Sequence, residues 1–317
     1  MKKSILTLFL AIMATVELYA QQISVVSTGG STSLYQTLKD AIEGADDGSV
    51  IYLPGGGFPI ADSVKITKKL TIVGIGHKIK TENVDGYTTI SGNLFFNQGS
   101  DRSALLGVYV SGNVYIGNDA KVDDVLVRYC NMNDVSVYNN CIGTTIDQNY
   151  IRGAAYFNGC SGTFSHNITR YVREINDGFI SNNILTSGYY YYGTKEAING
   201  SRNSITNNII IHDIALSGAD CFASGNMCKV DFGDDCINIG DADWNDVFQK
   251  YGSISPSSNF HFSENYSEYE SKVGIYAGGS DFDKQLAPVP YIVAKRVDTE
   301  TDASGKLNVK IRVKAGQ

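Results

Sequence analysis

One short phrase occurs twice near the middle of the chain. It reads NNCIGTTIDQN from Asn139 to Asn149 and NGCSGTFSHN from Asn158 to Asn167. Cys141 and Cys160 lie 19 positions apart, and the closing asparagines 18. A fixed period of this size constrains the fold more than composition does, because each unit must bury its apolar face against the next. Strand-like pieces ending in Asn extend the series to Asn131, Asn149, Asn167, Asn183, Asn208, Asn226 and Asn265. Their successive gaps are 18, 18, 16, 25, 18 and 39, the last being two units.

Helical repeats are longer and need apolar stripes of period 3.6, which these units lack. Their apolar residues alternate in short runs, as in NVYIG and DVLVRY, which predicts strands of a few residues separated by turns. Units of this length fit three short strands per coil, stacked about 4.8 Å apart into parallel sheets. The predicted fold is all-β, a parallel β-helix solenoid. The repeated Asn has a physical role in such a stack. It tolerates the left-handed conformation that a tight bend demands, and its amide can pair with the Asn above and below. These residues read as a structural ladder and not as a site.

The ends read differently. STSLYQTLKDAIEGA (31–45) predicts a helix with Ser33 and Gln36 in a capping box and Leu34, Leu38, Ala41 and Ile42 as its apolar stripe. Such a helix would cover the open end of the solenoid. At the other end, APVPYIVAKRV and DASGKLNVKIRV predict a hairpin or small β module from residue 287. Residues 1–20 carry a basic head (Lys2, Lys3), a short apolar run and Ala20 before the expected cut, the pattern of a secretory signal peptide. The expected organisation is therefore a leader over 1–20, a capped solenoid over 21–286 and a tail over 287–317. No stretch of the mature chain is long enough to span a membrane.

Loss of the leader would move the formal charge from −7 to −8. An acidic chain without a dense Lys/Arg block argues against nucleic acid as a partner. The 33 Gly and 20 Tyr beside only 5 Pro suit short strands and tight turns. Export permits disulfides, and six cysteines allow fifteen full pairings. Cys141 and Cys160 are expected to stack as small buried hydrophobes.

The Leu-Pro-Gly-Gly turn followed by Lys-x-Leu-Thr-Ile-x-Gly resembles the first coil of right-handed β-helix, pectate-lyase-like proteins. The Asn-ended coils, IGDADWNDVF (239–248), GIYAGG (274–279) and the tail TDASGKLNVKIRVKA (301–315) resemble secreted right-handed β-helix proteins of Bacteroidetes. The resemblance implies handedness and export, and no settled activity.

Several motifs are candidates for chemistry. DFGDDCINIGDADWND holds Asp231, Asp234 and Asp235, and carboxylate pairs of this kind perform glycoside hydrolysis. Gly233-Asp234-Asp235-Cys236 is similar to a polygalacturonase segment, but the Gly-His-Gly that should follow is missing. Asp241, Asp243 and Asn245 begin the alternating spacing of a calcium loop, which then fails at Asp246 and Gly252. They leave an irregular Ca²⁺ site as the alternative to a solvated turn. Lyases on this scaffold pair Ca²⁺-binding acids with a basic residue, for which Arg170 and Arg173 are the candidates. The four histidines, His77, His166, His212 and His261, are scattered and show no dyad or metal pair. Tyr189, Tyr190, Tyr191 and Tyr192 lie in the coil whose gap swells to 25, and exposed aromatic rings suit sugar rings. The leading expectation is a non-catalytic secreted protein that binds or displays on extracellular polysaccharide. A polysaccharide lyase or glycoside hydrolase is the alternative, and a structural or adhesive scaffold the third. Convergence of Asp231, Asp234 or Asp235 with Arg170 or Arg173 in one groove would favour the enzyme.

Overall fold

The computed structural model describes residues 22–60, 63–76, 86–191, 194–211, 215–217, 219–230, 233–251, 258–280, 282, 291–301 and 306–314. The expected leader lies outside them, as do Asp231, Tyr192, His77 and His212.

Three long sheets dominate, of eleven, ten and nine strands. From Val50 to Asn238 the chain visits them in rotation, so nearly every third strand joins the same sheet beside its predecessor. The pairing along these stacks is parallel. The molecule is thus all-β with long parallel sheets, an arrangement compatible with a parallel β-helix solenoid.

Alternation within each strand explains the stack. In the first sheet Ile51, Ile72, Leu105, Val127, Ile146, Phe164, Ile180 and Ile205 share one register column, and all are fully buried. In the third sheet Val64, Leu94, Val114, Val135, Ala155, Val172 and Ile198 form another. Most of these short strands bury one or two side chains. Stacking them makes a continuous core that no single coil could form.

The corners between the first and second sheets carry the ladder. Asn149, Asn167, Asn183, Asn208 and Asn226 are completely buried. The main-chain N–H and Nδ2 of Asn149 donate to Asn167 Oδ1 at 2.9 and 3.0 Å, and the pattern repeats through Asn183, Asn208 and Asn226. Each amide also donates to a carbonyl of the preceding coil, as Asn183 does to Phe164 at 2.9 Å. Full satisfaction is what permits these polar groups in the interior.

Three details differ from the sequence expectation. The left-handed residue is the one before the ladder position, at Tyr129, Gln148, His166, Asn182, Asn207 and Gly225. Asn131 stands one place out of register. It pairs with Tyr150, while Cys130 takes the ladder position and donates its N–H to Asn149 Oδ1 at 2.9 Å. Asn265 is exposed in a 3-10 turn, Glu264–Tyr269, outside the parallel stack. At the far end Cys236 follows left-handed Asp235 and precedes Ile237, which pairs with Met227. The ladder therefore begins and ends on cysteine.

The N-terminal helix is shorter than expected, Leu38–Gly44, and Thr37 caps it by accepting from the Asp40 N–H at 3.1 Å. Thr32–Tyr35 is instead a strand antiparallel to Ile23–Val26, whose outer edge would otherwise lack a partner. Leu34 is 57% exposed in consequence. Leu38, Ala41 and Ile42 join the main core, and Lys68 Nζ donates to the carbonyls of Glu43 and Ala45 at 2.8 and 2.6 Å.

A second core lies outside the stack. The residues after the ladder asparagines, Tyr150, Ile168, Ile184, Ile209 and Met227, point outward from the second sheet. Parallel pairing ends at Ile237–Asn238, and the chain then folds back over this face, with Trp244, Phe248, Phe260, Phe262, Val273 and Ile275 buried against it. Trp244 Nε1 donates to the Ile211 carbonyl at 2.6 Å. Gly274, at φ +76, comes so close that a Cβ would sit 2.5 Å from Ile209 Cδ1. Toward the C-terminus Tyr291–Thr301 pairs antiparallel with Leu307–Lys314. Among the described residues no helix is long and apolar enough to cross a membrane.

Candidate functional site

An open groove of about 750 Å³ lies on the outer side of the first sheet, beside the ladder corners. One wall is the sheet and the other is the folded-back segment, through Ser271, Lys272 and residues 277–280.

Register places the charged residues. Arg128, Asp147 and Ser165 are successive partners in one column. Because Val127, Ile146 and Phe164 face the core, their neighbours must face out. Arg128 Nη2 lies 2.8 Å from Asp147 Oδ2, and Ser165 Oγ donates to Asp147 Oδ1 at 2.7 Å. His166, one coil later, brings Nδ1 to 3.1 Å from Asp147 Oδ1. Gln148 Nε2 donates to Ser280 Oγ at 2.7 Å, tying the corner to the opposite wall.

Burial pushes the Asp147 carboxyl upward. Hydrogen bonds from His166 and Ser165 and the Arg128 charge outweigh burial, so the net shift is below the usual carboxylate range. An ionised Asp147 only accepts, so Nδ1 of His166 carries the hydrogen of their contact. In neutral His166 the Nε2 lone pair then remains for another partner. The arrangement can hold an anion or a sugar hydroxyl between Arg128, His166 and Lys272, or pass a proton at Nε2.

Five ladder corners line the groove, at Tyr129, Gln148, His166, Asn182 and Asn207. The later ladder corners hold Asn, Gly or Asp in the left-handed position, at Asn182, Asn207, Gly225 and Asp235. Three consecutive coils instead hold Tyr129, Gln148 and His166, at φ 56, 56 and 50, and all three line the groove. Tyr129 and Gln148 are strained in this conformation, which His166 tolerates better, and such strain concentrates at functional sites.

The candidates named from sequence do not meet here. Asp234 bridges to Ser224 beyond the last strand of the first sheet, and both Asp234 and Asp235 are exposed. Arg173 lies on Val172–Arg173 of the third sheet and pairs with Glu174 at 2.9 Å, and Arg170 is exposed in the same coil. Four strand steps separate that coil from Asp234, roughly 19 Å along the stack, so Asp234 and Asp235 do not converge with Arg170 or Arg173 in one groove. Asp243 caps the short helix Trp244–Val247, and its Oδ1 accepts from the N–H and Nδ2 of Asn245, both at 2.9 Å. Asp241 is exposed nearby. Among the described residues no three His, Cys, Asp or Glu side chains are grouped to hold a metal. Tyr189–Tyr191 form a strand antiparallel to Thr194–Asn199 at the edge of the third sheet; their side chains lie outside the described residues.

Sequence reading passed over Arg128 and Asp147 and dismissed His166. A signal was present. Asp-Gln-Asn and Ser-His-Asn break the Asn-Asn or Gly-Asn pattern of the later corners, and the partner of His166 stands 19 residues upstream, one coil away. No protein-family model matches the chain, and comparison with the curated proteins and with the solved structures finds no match.

Proposed function

We propose that this chain is an exported right-handed parallel β-helix protein that binds an extracellular polysaccharide along the outer face of its first sheet, without cleaving it. The observation that carries this reading is the continuity of the outward column. Thr145 and Thr163, in the groove, are followed in register by Phe179, Ser204 and Phe222. Phe179 and Phe222 are 62% and 55% exposed, two strand steps apart on an otherwise hydroxyl-rich face. Two steps are about 10 Å, a spacing at which flat rings can stack on alternate sugars of a linear polymer. The cations Arg128 and Lys272 beside this line favour a glycan bearing acidic groups.

The test is affinity for a panel of acidic and neutral polysaccharides, with and without calcium, for the mature protein and for Phe179→Ala/Phe222→Ala. Retention of an acidic polymer, weakened about tenfold in the double variant, supports the reading. Equal retention by both proteins, or none, refutes it.

The Asp147-oriented imidazole favours a second reading, acid–base cleavage with His166 as the proton-transfer group. It predicts shortened products that disappear in His166→Ala. The same panel detects them.

A further inference from the structure

The segment Gly233-Asp234-Asp235-Cys236 forms the last corner of the stack. Gly233, at φ +86, passes so close to Ala223 that a Cβ would lie 2.2 Å from its carbonyl oxygen. Asp234 N–H donates to that same carbonyl at 2.8 Å, and the Gly225 N–H donates to the Asp234 carbonyl at 3.0 Å. Left-handed Asp235 then turns the chain so that Cys236 enters the ladder column after Asn226. No asparagine follows to continue the ladder, and Ile237–Asn238 is the terminal strand of its sheet. The Cys236 sulfur instead reaches Cys228, 2.9 Å away, and both side chains pack on the main core.

We propose that Cys228 and Cys236 form a disulfide that closes the last coil. The terminal coil has a neighbour on one side only, and a covalent link supplies what stacking supplies elsewhere. The oxidant is a low-molecular-weight disulfide such as oxidised glutathione. The half-buried Cys236 thiolate attacks one glutathione sulfur, expelling the other as a thiol and forming a mixed disulfide. Cys228 then loses its proton and attacks Cys236 Sγ, expelling the second glutathione thiol. Two protein thiols are oxidised, one glutathione disulfide becomes two thiols, and the two protons end on those thiols. Cys130, at the opposite end of the ladder, is fully buried, and burial pushes its thiol up to about 12. That cysteine stays reduced.

The test uses the full mature chain incubated with oxidised glutathione, denatured, alkylated and peptide-mapped, alongside a dithiothreitol-treated sample. The expected result is a peptide pair linked through Cys228 and Cys236, with the mass of two hydrogen atoms lost. Backbone exchange over residues 227–238 should be roughly tenfold slower in the oxidised protein than in the reduced one. Cys236→Ser should abolish both the link and this difference. Alkylation of both cysteines after oxidation, or a link joining either to another cysteine, would overturn the proposal. So would identical exchange in the two states.

Discussion

Six corners of one column make the same turn with different residues. At Asn182, Asn207 and Gly225 the left-handed position is filled by residues that accept it. At Tyr129 and Gln148 it is filled by residues that resist it, with His166 next in the column; these three corners line the groove together with Asn182 and Asn207. The buried ladder beneath is nearly identical in both halves, from Asn149 to Asn226. A stack held by the ladder can tolerate strain at its surface, and the strained corners lie along the groove proposed to hold the ligand.

The largest effect should come from the ladder itself. Asn183→Ala leaves the Asn167 N–H and the carbonyls of Phe164 and Ser181 without their partner. The expected loss is about 2–4 kcal/mol, measured by urea unfolding. If the cost matches that of a surface alanine, the ladder is not what lets the corners carry strain.

Next in size is Arg128→Ala. It strips the buried Asp147 carboxylate of its cation while Ser165 and His166 remain. Stability should fall by about 1–2 kcal/mol at neutral pH. The sign with pH is definite. The folded-state pKa of Asp147 is depressed below the ordinary carboxylate value, so its stabilisation is complete well above that value and fades as pH falls through it toward the folded value. Asp147→Asn should flatten this part of the stability–pH curve. A curve unchanged in shape would mean the carboxylate is not held as described.

The smallest effect has the opposite sign. Tyr129→Asn and Gln148→Asn relieve the left-handed strain and should each stabilise by about 0.5–1 kcal/mol, read as a shifted urea midpoint. Loss of stability in both would equate the two halves of the column.

The stack was legible in the sequence because stacking demands one corner per coil, and a corner uses few residue types. Matching by letter failed where chemistry substituted. Cys130 does the work expected of Asn131, and Asn265 carries the right neighbours in the wrong architecture. The helix was over-extended because Thr32–Tyr35 answers an exposed strand edge, a tertiary demand that local pattern does not record. The apolar residues after each ladder asparagine hinted at a second core, but nothing local said that residues 241–282 would cover them. The groove was missed because its members are 19 residues apart in sequence and one strand apart in space. The acidic run drew attention by density, yet its members cap a helix, turn a corner or face solvent.

The most direct measurement takes stability and glycan affinity together on the double variant Tyr129→Asn/Gln148→Asn. The expected result is a protein that unfolds at higher urea and retains the acidic polysaccharide several-fold less well than the wild type. A variant that is more stable and binds as tightly would show that the strained corners do not serve the groove.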